Sequence, residues 1–209
     1  MSPSARMFWT ATLLLALPDA AQAACGATYY PVQEGLTRSY RGTANGQALS
    51  YSETIRQVGA KGFTLTTTAG NTTVRYTCGP QGITGTPTIN APGVKVVSFT
   101  QRGVTQPPAL KVGTGWTTGV LLKGTAQGQS FMNDTNIVSK VVGSERIKVP
   151  AGTFDALKVQ MTTTVKITAG GQTLPTTRIV GVAWLAAGVG TVKTQADNTV
   201  IELVKFSKK

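Results

Sequence analysis

No histidine occurs among the 209 residues. That single absence removes Ser-His-Asp triads, Cys-His dyads, His-ligated zinc and HExxH proteases. Two cysteines are too few for a four-thiolate zinc or iron–sulfur site within one chain. Acids are also scarce: 8 Asp and Glu stand against 20 Lys and Arg, for a net charge of +12 and a pI near 10.1. Charged residues make up only 13% of the chain, about half the usual share, while 41% are hydrophobic. That is too apolar for a disordered basic tail and describes a folded domain. GxSxG elbows and P-loops are missing, as is any sustained 3.6-residue apolar period.

What the chain does contain is threonine, 34 residues of it, together with 24 glycines. Thr and Val suit pleated, half-buried surfaces. Alternation is the dominant pattern. From Phe154 onward, Leu157, Val159, Met161, Thr163, Val165 and Ile167 fall on one face. Ala156, Lys158, Gln160, Thr162, Thr164 and Lys166 fall on the other, so the spacing predicts one long strand with a dry and a wet side. Leu49, Tyr51 and Ile55 share a face, and so do Val74, Tyr76 and Cys78. Ala44-Asn45-Gly46, Ala69-Gly70-Asn71 and Ala169-Gly170-Gly171 are placed as hairpin turns.

Strands are expected near 36–44, 48–58, 62–69, 71–78, 94–100, 132–142, 145–149, 154–168, 172–184, 189–195 and 199–206. The Gly- and Pro-rich stretch 79–115 is expected to be mostly loop. With no helix to cover an apolar sheet face, the sheet must cover itself. The expected fold class is all-β. A single antiparallel domain has a strongly curved sheet that closes into an open barrel or a two-layer β structure. Its interior is either a filled core or a cavity.

Residues 1–23 read as a secretory signal, with Arg6, the apolar run Met7–Leu17 and the small-x-small site Ala21-Gln22-Ala23. The domain then spans 24–209, and its net charge stays at +12. The expected location is periplasmic or extracellular. Cys25, just after the cleavage site, is either lipidated or bridged to Cys78. The bridge would close a loop of about 54 residues, worth roughly 4 kcal/mol.

Three stretches look familiar together: Tyr30–Tyr40 (YPVQEGLTRSY), Glu145–Val159 (ERIKVPAGTFDALKV) and Trp184–Lys193 (WLAAGVGTVK). In this order the chain resembles the TapB-like group of bacterial secreted β-proteins, whose members tend to carry VPAGTFDALKV followed by WYAPGVGLVK. It departs at Leu185, where an aromatic is common, and at Ala187, where proline is common. The resemblance implies a curved antiparallel sheet in the cell envelope and supplies no established activity.

Trp116, Phe154, Met161 and Trp184 are the candidate lining of a ligand cavity, with a place among core aromatics as the plainer alternative. Arg56, Arg75, Lys158 and Lys166 share polar faces with Thr and are candidate contacts to an anionic surface. Glu53 lies on the apolar face of Leu49, Tyr51 and Ile55, so burial there would demand a raised pKa or an arginine partner. The cluster Asn133-Asp134-Thr135-Asn136 offers oxygens for calcium, but one carboxylate is thin and a polar turn is the simpler reading. No metal and no cofactor is expected, nor is an enzyme, since the acids are scattered. The expected partners are a lipid or an anionic envelope polymer, with contact to a membrane surface. Nucleic acid is not expected, because no RNP-like strand or helix-turn-helix occurs. A structural or adhesive module holding polyanions on a basic face is the other reading.

Overall fold

The computed structural model describes residues 26–88 and 92–208. The expected signal segment and Cys25 lie outside these residues. Thirteen strands form one antiparallel sheet: β1 (Thr37–Ala44), β2 (Gln47–Gly59), β3 (Gly62–Thr67), β4 (Thr72–Gly79), β5 (Gly82–Thr88), β6 (Val94–Gly103), β7 (Gly115–Ala126), β8 (Gln129–Val149), β9 (Gly152–Ala169), β10 (Gln172–Thr173), β11 (Thr177–Ala186), β12 (Gly190–Ala196) and β13 (Thr199–Ser207). A single 3-10 turn at Ala69–Asn71 joins β3 to β4. The hairpin turns form where positive φ is available. Asn45 and Gly46 have φ of 51° and 79°, and Gly170 and Gly171 of 55° and 81°.

The strand order is β5-β4-β3-β2-β1-β13-β12-β11-β9-β8-β7-β6, with β10 on the end of β9. The first and last strands therefore pair with each other, and the two sheet edges, β5 and β6, are neighbours in sequence. These edges meet at one end only. The Ile83 N–H donates to Gln106 O at 2.9 Å there, the Thr105 N–H to Ile83 O at 2.7 Å, and the Gly85 N–H to Gln101 Oε1 at 2.8 Å. The result is a nearly closed barrel with one unsealed seam, the open-barrel form rather than two layers.

Register identifies the inner face. One ladder runs Val141–Val159–Ala183–Thr194–Ile201–Gly42–Leu49 across seven strands. Toward one end this face is filled. Leu36, Ile55, Phe63, Leu65 and Ile83 pack with Tyr30, Val32 and Tyr76. Val141, Leu157, Val159 and Leu185 pack with Tyr29, Leu110, Trp116 and Met161. The segment before β1 and the loop between β6 and β7 thus plug that end, since Tyr29, Tyr30 and Leu110 belong to neither sheet edge. Trp116 Nε1–H donates to Thr105 O at 3.1 Å and pins the loop.

A third cluster sits where the sheet splits. β12 pairs with β13 only as far as Lys193–Glu202. Beyond that, the tip of the β8–β9 hairpin reaches β13, where the Ala151 N–H donates to Leu203 O at 3.0 Å. Val149, Ala156, Trp184, Ala186, Val192 and Leu203 pack around it.

Several expectations change. The stretch 79–115 holds all of β6, where a strand is expected at 94–100, and also β5, where none is expected; β7 likewise lies where no strand is expected. The strands expected at 132–142 and 145–149 are one 21-residue strand with a bulge between Val141 and Gly143. The wet side of β9 is dry near its start: Ala156 is buried because the hairpin tip folds onto β13. Asn133–Asn136 is mid-strand in β8 rather than a turn.

Candidate ligand-binding interior

At the plugged end the inner face carries a buried polar group. Arg38 and Glu53 are directly opposite on β1 and β2. Arg38 is only 3% exposed, and its Nε lies 3.6 Å from Glu53 Oε2, too far for a good hydrogen bond. Its Nη1–H donates to Val189 O at 3.4 Å, and its guanidinium lies over the Tyr30 ring at 5.5 Å. Nε itself has no hydrogen-bond partner among the described residues.

Four tyrosines surround the pair. Tyr40 and Tyr51 stack at 5.1 Å between centroids, and Tyr30 and Tyr76 stand 5.9 Å apart. Burial raises all four phenols above their usual value, Tyr51 to about 12, so all stay neutral donors at physiological pH. Burial also raises the Glu53 carboxyl, and Arg38 offsets this only in part. Glu53 itself is half-buried, and the direction of its shift and its arginine partner are the two consequences expected of a carboxylate on this face. Above it a cavity of about 170 Å³ opens between Tyr40, Tyr51, Glu53, Thr191, Thr194 and Ile201.

Toward the other end the same face carries apolar side chains interleaved with Gln101, Asn133, Thr135 and Thr163, and it is no longer filled. Register places Phe99, Val120, Leu122, Ile137, Val165, Ile167 and Ile179 on it. All seven are half-buried, and none belongs to a core cluster. No described segment crosses over them. The interior is a cup: a plug with a polar floor at Glu53, and partly apolar walls toward the free end.

The structure separates the four aromatic and Met candidates. Trp116 and Met161 are at the boundary between plug and walls. Phe154 and Trp184 are in the cluster at the hairpin tip, on the opposite face from the cup by register. Trp184 is 8% exposed; its Nε1–H donates to the Glu145 carboxylate, and Lys158 and Lys193 lie over its ring at 5.6 and 5.8 Å. The indole hydrogen bond, followed by Lys158 at 3.3 Å, holds Glu145 below the usual carboxylate range.

The four basic candidates share the outer face but not a patch. Arg56 and Arg75 flank Thr64 in one register row, whereas Lys158 and Lys166 are on β9. Five strand spacings separate β2 from β9, roughly 24 Å. Asp134 is held by Arg102 at 2.8 Å, and Asn133 accepts from Thr135. Among the described residues no three His, Cys, Asp or Glu side chains gather as a metal site would require. Cys78 is in β4 and lines a crevice with Gly26 and Ala27, while Cys25 lies outside the described residues. Arg38 was missed from sequence, though it shares alternation parity with Leu36 and Tyr40.

A single-sheet barrel closed at one end and open along a seam defines the structural class. A family model described as DUF3108-like matches residues 97–205, more than half of the chain, and the chain belongs to that family. Two solved structures share the fold. One is a Bacteroides fragilis protein assigned to export and to a YmcC-like fold, with a TM-score of 0.54 at 17% identity, covering 87% of this chain and 100% of that one. The other is a Parabacteroides distasonis protein assigned as a lipoprotein, with a TM-score of 0.55 at 17% identity, covering 87% and 99%. No curated protein matches.

Proposed function

We propose that this chain is an exported envelope protein that binds an apolar or amphiphilic anionic ligand in the cup and catalyses no reaction. One observation carries the reading: seven apolar side chains on the inner face of β6–β11 stay half-exposed with nothing described above them. A barrel that needed only a core would fill this end as it fills the other. Leaving the walls dry-lined and open has a hydrophobic cost that a bound apolar chain would offset. The Glu53 floor disfavours an anion at depth. An anionic headgroup therefore stays at the rim, where Lys95 and Lys123 lie within three residues of strand ends.

The export signal and the export and lipoprotein assignments of the two structural neighbours support an envelope location. The three motifs support the narrower TapB-like affinity. Gly26 beside Cys78 supports a Cys25–Cys78 bridge, which intact mass before and after reduction tests: a gain of two hydrogens supports it, and no change removes it.

Native mass spectrometry of protein purified from its own envelope tests the ligand. A co-purifying lipid is expected, and its loss is expected in Ile137→Arg, which charges the wall. Protein that carries no lipid, and after delipidation takes up no fluorescent fatty acid, would sink the reading.

A further inference from the structure

The outer face of the same strands carries a second surface, and its chemistry differs from that of the cup. A register row crosses β8, β9 and β11 as Val138–Thr162–Val180. Val138 is 49% exposed and Val180 45%. Val142, at the β8 bulge, is also exposed. Strand spacing sets the two row ends roughly 10 Å apart. A single exposed valine means nothing, but valines at both ends of one row over a threonine methyl make an apolar strip.

Cations frame this strip. The row on one side is Lys140–Gln160–Val182, and on the other Asn136–Thr164–Arg178. One further row along β9 stands Lys166. Lys140, Lys166 and Arg178 are exposed, and among the described residues none of them makes an ion pair. The nearby acids are already occupied: Asp134 by Arg102 at 2.8 Å and Glu145 by Lys158 at 3.3 Å. The charge that remains unanswered on this face is therefore positive.

We propose that this face of β8–β9–β11 docks on an anionic phospholipid bilayer. The valines enter the headgroup layer, and Lys140, Lys166 and Arg178 meet lipid phosphates around them. Basic side chains around a shallow apolar strip suit a surface that is charged outside and greasy just beneath. A soluble polyanion would use the cations and leave the valines unused. The inference does not rest on ligand uptake, because the docking face and the cup are opposite faces of the sheet.

Co-sedimentation with vesicles tests it. The full protein should bind phosphatidylglycerol–phosphatidylethanolamine vesicles and not phosphatidylcholine alone. The pair Lys140→Glu with Arg178→Glu should weaken binding at least tenfold, about a fivefold loss per removed cation. The pair Val138→Asp with Val180→Asp should weaken it similarly at unchanged thermal midpoint, since all four positions are exposed. Arg56→Glu with Arg75→Glu changes net charge equally on distant strands and should leave most binding intact. Equal losses from both charge pairs, or no effect of the valine pair, would overturn the docking face in favour of general polyanion attraction. So would binding to heparin as strong as to the anionic vesicles, and failure to bind them at all would overturn it outright.

Discussion

Removing one member of the Arg38–Glu53 pair tests how the plugged end is held together. In Glu53→Leu the Arg38 guanidinium, 3% exposed, keeps only Val189 O at 3.4 Å and the face of Tyr30. Stripping the partner from a buried charge costs about 3–5 kcal/mol. For a domain of this size each kcal/mol moves the midpoint by about 2–4 °C, so Tm should fall by roughly 6–20 °C. Replacing both partners, Arg38→Met with Glu53→Leu, should recover most of the loss, because the charge and its desolvation penalty leave together. Thermal and urea unfolding of the two variants read this directly. pH supplies a second readout. The folded carboxyl titrates above its ordinary value near 4.5. In the window from that value up to the folded one, the native state holds more protons than the unfolded state, so stability declines as pH rises. Glu53→Gln should flatten that decline. A Glu53→Leu midpoint within error of the parent, with no gain in the double variant, would refute the buried-pair account.

Two further perturbations probe the same construction. Gly190 has φ of +94°, and a Cβ there would lie 2.5 Å from Arg38 Nη1. Gly190→Val should therefore cost about 3 kcal/mol or more and lower the urea midpoint accordingly, and a neutral result would mean that β12 starts elsewhere. Along the seam, the seam-facing half of the Val94–Thr100 amides, which has no β5 partner strand, should exchange with deuterium far faster than the amides of β8 and β9. Uniform protection would show a sealed barrel.

Alternation made the fold class legible because every long strand here has one face turned to the interior. It failed where that premise fails. β7 reads GWTTGVLLKGTA, and its Val120-Leu121-Leu122 run conceals which side is inner. Register settles it, placing Val120 and Leu122 inward and Leu121 outward. β5 has two glycines and a proline in seven residues and looks like a loop. Gly85 is there because the Tyr76 ring occupies the space of a side chain, with a Cβ falling 2.7 Å from it. Ala156 sits on a face that alternation marks as wet, and only the hairpin tip crossing to β13 makes it dry. Glu53 was readable as an anomaly on an apolar face. Its partner Arg38 carried the matching signal, a cation between Leu36 and Tyr40 at the same parity, and pairing the two required the β1–β2 register.

The three recurring motifs meet at one place, although they are far apart in sequence. Tyr30 and Arg38 of the first touch one another, and Arg38 bonds to Val189 of the third. Trp184 of the third bonds to Glu145 of the second, whose hairpin tip reaches β13 through Ala151. All of this lies at the plugged end, where the split between β12 and β13 must be filled and the chain before β1 must be docked. Steric and hydrogen-bond demands are strict there: a glycine at positive φ, a carbonyl for a buried guanidinium, an acceptor for an indole N–H. The cup walls face the opposite requirement, since an apolar lining tolerates exchange of one hydrophobic side chain for another. Motif residues therefore define the scaffold, while under the proposed binding role Phe99, Leu122, Ile137 and Ile167, outside every motif, would decide what the cup accepts. Exchanging wall residues between two family members should move ligand preference with the walls and leave stability with the motifs.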